Sequence, residues 1–309
     1  MPAFHVEKSI EIKVTPDVVY AFLSDFNNWR VWSPWLILEP ESKVTVAPGG
    51  KQYAWDGKRT GSGEMKIMKE NPAQRLDTQV TFLKPWKSTS SAWFELKPTT
   101  NGTHLTWCMD SSLPFFLFFM KKMMTAYIGM DYSRGLSMLK DYLETGAVPS
   151  NLTFKGITDF AGCSYIGFKT ACPMNAIDEK MKADFGKLFS WNKANPGLLQ
   201  GIPFSIYHKW DVVKNAVVYT AAFPVKSIPA NLPAGAITGT IPATKVNTIT
   251  HTGNYKHLGN AWSAQYNLQQ AKVFKWKKGI DPFETYNTMP GSVAENEQVT
   301  EVHFPVAQD

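Results

Sequence analysis

Two short segments carry the residues best placed to do chemistry, and each is a copy of the other. Gly201-Ile202-Pro203-Phe204-Ser205-Ile206-Tyr207 recurs as Gly279-Ile280-Asp281-Pro282-Phe283-Glu284-Thr285-Tyr286. After one inserted residue, Pro203/Pro282, Phe204/Phe283 and Tyr207/Tyr286 are each 79 positions apart. Strand-like runs after the two copies end in the same tripeptide, Phe223-Pro224-Val225 and Phe304-Pro305-Val306. A repeat of this kind points to an internally duplicated domain. The copies differ two residues before the tyrosine, where the first has Ser205 and the second Glu284. In a strand Glu284 and Tyr286 share one face, while Phe283 and Thr285 share the other. A carboxylate walled by aromatic rings is desolvated, which pushes its pKa up. It suits a hydrophobic cation, with charge from the carboxylate and cation–π contacts from the rings.

Trp262, Tyr255, His251 and Tyr207 are the candidate walls around Glu284 and Tyr286. Each also has a plainer reading. Trp262 can be core, His251 can cap a turn, and Tyr207 can be the structural counterpart of Tyr286.

The elements that must hold these residues fall into two domains. A chain of 309 residues with 44% hydrophobic content has length and apolar surface for two cores. Phe4 to Val14 alternates, as a half-buried strand does. Thr15-Pro16-Asp17 reads as a helix start, followed by Val18, Phe22, Phe26 and Trp29 at helical spacing, with Val19 and Leu23 widening the stripe. Residues 40–110 read as a strand meander, cut by turns such as Asp56-Gly57, Asn71-Pro72 and Asn101-Gly102. A long helix over about Pro114–Glu144 carries Ile128, Tyr132, Leu136, Leu139 and Leu143 on one stripe, with Gly146 as its C-cap. The expected division is 1–148 for the first domain, 149–154 for a linker and 155–309 for the second.

The order strand, short helix, many strands, long helix, together with Val19-Tyr20-Ala21-Phe22-Leu23-Ser24-Asp25-Phe26-Asn27-Asn28-Trp29, Trp32-Ser33-Pro34-Trp35 and Gly135-Leu136-Ser137-Met138-Leu139-Lys140, resembles the START-like SRPBCC (polyketide cyclase/dehydrase) superfamily. The resemblance implies an antiparallel sheet gripping the long helix, with an apolar cavity between them. Its members carry lipids, bind hormones or catalyse cyclisations. Trp35, Trp55, Trp93 and Trp107 are the candidate cavity walls, with ordinary core packing as the alternative. Glu64, Glu95 and His104 read as surface residues and form no catalytic set.

In the second domain each half reads strand, helix, strand, strand. The strands are Phe154–Thr170, Gly201–His208 and Val217–Val225 in one half, and Ala243–His251, Phe283–Asn287 and Val299–Val306 in the other. One helix starts at Pro173 with Ile177, Met181, Phe185 and Leu188 on a face; the other starts near Tyr255 with Leu258 and Trp262. Ile241-Pro242-Ala243, His251-Thr252-Gly253-Asn254-Tyr255, Trp262, Pro282-Phe283-Glu284-Thr285-Tyr286 and Thr300-Glu301-Val302-His303-Phe304-Pro305-Val306 resemble the GyrI-like small-molecule-binding domain, which is also the effector module of AraC- and MerR-type multidrug regulators. The resemblance implies two units about a pseudo-two-fold axis with a ligand groove at their junction. It makes Glu284 the acidic centre of that groove. The fold class expected for the whole chain is therefore α+β: a helix-grip sheet, then a duplicated strand–helix–strand–strand domain.

Several function classes lose support. The net charge of +6 comes with only four arginines, Arg30, Arg59, Arg75 and Arg134. Nucleic-acid readers favour arginine for its bidentate fork, so no nucleic-acid partner is expected. Three cysteines, Cys108, Cys163 and Cys172, make no disulfide framework and show no metal-ligand spacing. No metal and no cofactor are expected. The run Leu113-Pro114-Phe115-Phe116-Leu117-Phe118-Phe119-Met120 is too short to span a bilayer and reads as a pocket lid or helix start, with a membrane-dipping loop as the alternative. No stable membrane insertion is expected, and the cytoplasm is the default location.

The leading expectation is a protein that senses, sequesters or carries hydrophobic, aromatic or cationic small molecules through Glu284, with binding rather than turnover. One alternative is a hydrolase of reactive cyclopropane-type toxins using Glu284 as base, an activity that some GyrI-like proteins have. Another is a START-like cyclase or lipid carrier, and a third is action on a protein partner.

Overall fold

The computed structural model describes residues 3–84 and 87–308. The chain divides into two compact units, Met1–Pro149 and Ser150–Asp309.

The first unit contains β1 (Ala3–Ile12), α1 (Pro16–Leu23), β2 (Lys43–Val46), β3 (Gln52–Asp56), β4 (Ser62–Asn71), β5 (Arg75–Lys84), β6 (Ser88–Thr99), β7 (Gly102–Ser112) and α2 (Lys121–Thr145). The strands form one antiparallel sheet in the order β1-β7-β6-β5-β4-β3-β2. Alternation sends Leu105, Trp107 and Met109 of β7 inward and His104, Thr106 and Asp110 to the other face, as a period of two requires. Helix α2 buries Tyr132, Leu136 and Leu139 from its predicted stripe, and Ile128 and Leu143 pack at the margin. Gly146 ends it in the left-handed conformation at φ 81°, with its N–H on the Tyr142 carbonyl.

Helix α1 departs from its expected stripe. Val19, Tyr20 and Leu23 are its buried face, Val18 is exposed, and the helix stops at Leu23. Phe26 and Trp29 reach the core from a separate 3-10 turn, Phe26–Val31, started by Asp25 accepting the Asn27 N–H. The apolar run before α2 is a helix start, as expected: Phe115–Met120 form a 3-10 turn running directly into α2, with Phe115, Phe116, Phe118 and Phe119 exposed.

The second unit contains β8 (Ser150–Phe160), β9 (Cys163–Pro173), α3 (Ile177–Ala194), β10 (Phe204–Asp211), β11 (Ala216–Val225), β12 (Ile237–Ile241), β13 (Thr244–Gly253), α4 (Gly259–Gln270), β14 (Phe283–Tyr286) and β15 (Val299–Pro305). Its sheet runs β12-β9-β11-β10-β14-β15-β13-β8. Exchanging β8 with β12, β9 with β13, β10 with β14 and β11 with β15 reverses this order onto itself, which is the signature of a two-fold repeat.

The repeating unit is larger than the sequence suggests. Phe154–Thr170 is not one strand: the chain breaks direction at Gly162, whose φ is 80°, and β8 and β9 on either side of it join opposite ends of the sheet; a Cβ at Gly162 would meet the Ala243 nitrogen at 2.6 Å. The short strand β12 leaves little signal in the sequence, because Thr-Gly-Thr at its centre has little apolar content. Each half thus begins with an extra strand that pairs with the other half, β8 on β13 and β12 on β9. The linker expectation is corrected as well: Ser150 to Phe154 belong to β8, paired from Ser150↔Gly253 to Phe154↔Ile249, so the ladder satisfies their backbone groups. The boundary between the units accordingly falls between Pro149 and Ser150.

Candidate functional site

Strands β10 and β14 meet at the centre of the second sheet with Phe204↔Thr285, Ser205↔Glu284 and Ile206↔Phe283 opposed. The repeat superposes Ser205 on Glu284, so the pair opposes itself and the pseudo-two-fold axis passes between the two residues. This register puts the Ser205/Glu284 difference between the copies on the axis.

Glu284 is 2% exposed. Its Oε1 accepts hydrogen bonds from the hydroxyls of Tyr207 at 2.8 Å and Tyr286 at 2.6 Å, and its Oε2 accepts from Trp262 Nε1 at 2.7 Å. The Tyr286 oxygen also lies 2.9 Å from Ser205 Oγ. A phenol has one proton, so with Tyr286 donating to the carboxylate, the Ser205 hydroxyl donates to Tyr286. The Tyr207–Glu284 and Tyr286–Ser205 contacts are two-fold equivalents. Helix α3 closes one side with Met181 Sδ, 3.2 Å from the Tyr286 oxygen, and with the Phe185 ring, 5.6 Å from that of Tyr286. Helix α4 closes the other side with Trp262, edge-on to Tyr207 at 4.7 Å.

Burial raises the Glu284 pKa above the ordinary carboxylate range, and the bonds from Tyr286, Trp262 and Tyr207 pull part of the way back. Burial and the adjacent carboxylate push the phenols of Tyr207 and Tyr286 well upward, so both stay protonated donors. Among the described residues no Lys, Arg or His pairs with Glu284. The site is a buried carboxylate served by three neutral donors.

The structure brings Tyr207, Trp262 and Tyr286 of the predicted residues onto Glu284. Tyr255 lies one layer out, its ring 6.0 Å from Tyr286 and its hydroxyl on the Thr288 carbonyl. His251 stands apart, because β15 separates β13 from β14. Its Nε2 bonds to Ser150 Oγ at 3.1 Å, which accepts from Asn260 Nδ2, and its Nδ1 is buried with no hydrogen-bond partner among the described residues. Burial lowers its pKa to about 4. Met181 and Phe185 are site residues that the sequence pattern does not mark. They lay on the predicted face of α3, but only the fold shows that this face covers Tyr286.

One further polar constellation escaped the sequence. His208 joins Asp281 through Nδ1 and Thr220 Oγ1 through Nε2, both at 2.7 Å. The arrangement has the connectivity of a hydrolytic triad, but Thr220 is 0% exposed and out of a substrate's reach. Its visible effect is to pin the bulge between Tyr207 and Lys209.

In the first unit the predicted cavity walls have different fates. Trp107 stacks on Tyr132 of α2 at 3.8 Å and meets Trp29, Trp32 and Phe94. These rings pack against one another between sheet and helix. Trp35 meets both Trp107 and Tyr132 and donates to Asp131 at 3.1 Å; Trp55 packs on Tyr53 and Phe82. Trp93 contradicts its expected role. Its neighbours Ala92 and Phe94 point inward, so it stands on the outer face, donating to Glu95 with Arg75 over its ring. A shallow depression of about 450 Å³ between Lys13–Pro16 and Pro98–Gly102 offers no facing set of titratable groups.

Comparison with known proteins accords with this division. Residues 3–144 match the family model described as polyketide cyclase/dehydrase and lipid transport, and residues 157–307 the model described as GyrI-like small molecule binding domain. The chain is a fusion of these two families. Glu284 therefore lies in a GyrI-like domain, a family that binds small molecules. The crystal structure of the EcmrR C-terminal domain is 23% identical, with 52% of this chain and 99% of that one covered and a TM-score of 0.42. The cryo-EM structure of an EcmrR–DNA complex is 21% identical over 63% of this chain and 73% of that one, with a TM-score of 0.43. Protein MLL2253 from Mesorhizobium loti is 17% identical over 45% of this chain and 96% of that one, with a TM-score of 0.36. No curated protein matches the chain. No described helix is long and apolar enough to cross a membrane.

Proposed function

We propose that the GyrI-like domain binds a lipophilic cation with a planar or aromatic body, and that Glu284 supplies its counter-charge. The observation that carries this reading is a carboxylate at 2% exposure with three neutral donors and no cationic partner among the described residues. Burying an ion costs several kcal/mol, and neutral hydrogen bonds offset only part of that cost. A ligand cation supplies the missing charge, and Tyr207 and Trp262 add ring faces and edges. The two tyrosines come from the sheet, whereas Trp262 comes from a helix. Ligand entry accordingly displaces the Trp262 indole and exchanges its bond to Oε2 for the cation. The protein is read as a sensor, sequestering agent or carrier. The scarcity of arginine keeps nucleic acid out of this reading.

Isothermal titration with tetraphenylphosphonium tests it, using triphenylphosphine oxide as the uncharged counterpart. The cation binds wild type, and Glu284→Gln weakens it by roughly tenfold or more, since about 1.4 kcal/mol is tenfold. The neutral compound is affected less. Equal cation affinity in the two proteins would falsify the charge role.

A hydrolytic reading rests on the same residue, because a raised carboxylate pKa suits a general base. Mass spectrometry of an electrophilic cyclopropane after incubation separates the two. Recovery of intact compound favours binding alone, and product lost in Glu284→Gln favours hydrolysis.

A further inference from the structure

On the outer face of the first sheet, edge strand β1 and its neighbour β7 carry a column of polar cross-strand pairs. They are His5↔Asp110, Glu7↔Cys108, Ser9↔Thr106 and Glu11↔His104. The first two pairs form a square, His5 and Glu7 two apart on one strand and Cys108 and Asp110 two apart on the other. Side chains at such corners share one face and converge. One ligating atom from each of His5, Glu7 and Cys108 lies within 4.8 Å of the other two. Asp110 adjoins His5 from the neighbouring position of β7, with Oδ1 2.7 Å from His5 Nδ1, while His5 Nε2 is 3.4 Å from Glu7 Oε2.

Charge points the same way. Among the described residues, Glu7 and Asp110 have His5 as their ion-pair partner and no Lys or Arg. The nearby Arg75 is engaged by Asp77 and Glu95 and lies over Trp93. One imidazole thus serves two carboxylates beside a thiol.

We propose that His5, Glu7 and Cys108, with Asp110 as fourth donor, form a binding site for a divalent metal of the zinc type. The donor set is one thiolate, one imidazole and two carboxylates, which suits a borderline-soft ion in tetrahedral coordination. Zn–S and Zn–N distances of about 2.3 and 2.0–2.1 Å require the donor atoms to draw in by small side-chain rotations. Binding releases the proton of the Cys108 thiol and any proton on His5 to solvent. The ion would tie the edge strand β1 to β7. Sequence spacing hid this set, because its two halves are a hundred residues apart and meet only through strand pairing.

The test is Co²⁺ and Zn²⁺ titration of the full chain in a Cys163→Ser/Cys172→Ser background, which leaves Cys108 as its one thiol. The expected result is one Co²⁺ per chain with a thiolate-to-cobalt charge-transfer band. Cys108→Ser abolishes the band. His5→Ala, an exposed position that leaves the core alone, weakens Zn²⁺ by at least the roughly 10–100-fold seen for outer-sphere changes. His104→Ala, the same chemistry lower on the same ladder without a thiol, leaves binding unchanged. Absence of the band in the folded background protein, or equal Zn²⁺ affinity in His5→Ala, overturns the proposal.

Discussion

Ser205 and Glu284 oppose each other across β10 and β14 on the pseudo-two-fold axis of the second unit, and both are buried. Duplication alone would place two identical side chains there. A carboxylate on each strand would bury like charges side by side, and two carboxylates that close cannot both stay ionised, so the asymmetry at this pair spares the site a second buried charge. Ser205→Glu should therefore cost on the order of 3–5 kcal/mol near neutral pH, the scale of an uncompensated buried charge. Denaturant unfolding should show part of the loss recovered in mild acid, where one carboxyl takes up a proton. A neutral effect at both pH values would place the axis elsewhere.

The two tyrosines are related by the repeat but are not equal in consequence. Tyr207→Phe removes one donor from Glu284 Oε1. Tyr286→Phe removes the other and also leaves the Ser205 hydroxyl without its oxygen partner. Bonds to a charged acceptor are worth about 1.5–3 kcal/mol. Tyr286→Phe should lie above Tyr207→Phe on that scale, and both should push the Glu284 pKa higher. Carboxyl infrared or NMR titration follows the second effect, and chemical unfolding the first.

Much of this site was legible in the chain. Period two put Glu284 and Tyr286 on one face, and the repeated Pro, Phe and Tyr flagged the symmetry. The sequence could not show that β10 and β14 are neighbours, and only that adjacency turns Tyr207 from a counterpart of Tyr286 into a ligand of Glu284. His251 was misjudged for the same reason: its distance from Glu284 is counted in strands, which local pattern does not encode. The first unit shows the complementary failure. Its element order was readable, yet an aromatic-rich composition fits both a lined cavity and a filled one. Trp93 was assigned inward although alternation beside Phe94 already placed it outward.

The buried histidines should make the second unit acid-sensitive. Burial lowers both His251 and His303 from the ordinary value of 6.5 to about 4. Between these values the unfolded chain binds protons that the folded chain refuses, so stability is fully present above pH 6.5 and is lost as pH falls toward 4. For His251 the shift corresponds to about 3 kcal/mol at most. His303 is held also by Thr248 and Thr285 and lies 3.8 Å from Glu301, whose charge opposes the shift. Glu284 acts in the opposite sense. Its raised pKa makes the folded state bind the extra proton, so its contribution falls as pH rises above its ordinary range. Unfolding free energies from pH 4 to 7 should rise with pH in the Glu284→Gln background, and His251→Gln should flatten that slope. A slope unchanged by His251→Gln would assign the acid sensitivity to other groups.

Substitution of the tryptophans separates a packed first unit from a hollow one. Trp107 is 2% exposed and stacks on Tyr132 at 3.8 Å, joining the sheet to α2. If the rings fill the interior, Trp107→Ala leaves a void among neighbours that are themselves fixed by edge and stacking contacts, and the cost should fall near 3–5 kcal/mol. Trp93 on the outer face contributes a bond to Glu95 and a contact with Arg75, which are surface terms. Trp93→Ala should stay within about 1 kcal/mol. In a ligand-holding cavity the order would differ, because a wall residue facing empty space has lost its contacts on that side already. Truncating Trp107 would then cost little in the empty protein and would mainly change the uptake of apolar ligands. Unfolding of the two variants, followed by the fluorescence of the remaining tryptophans, decides between them.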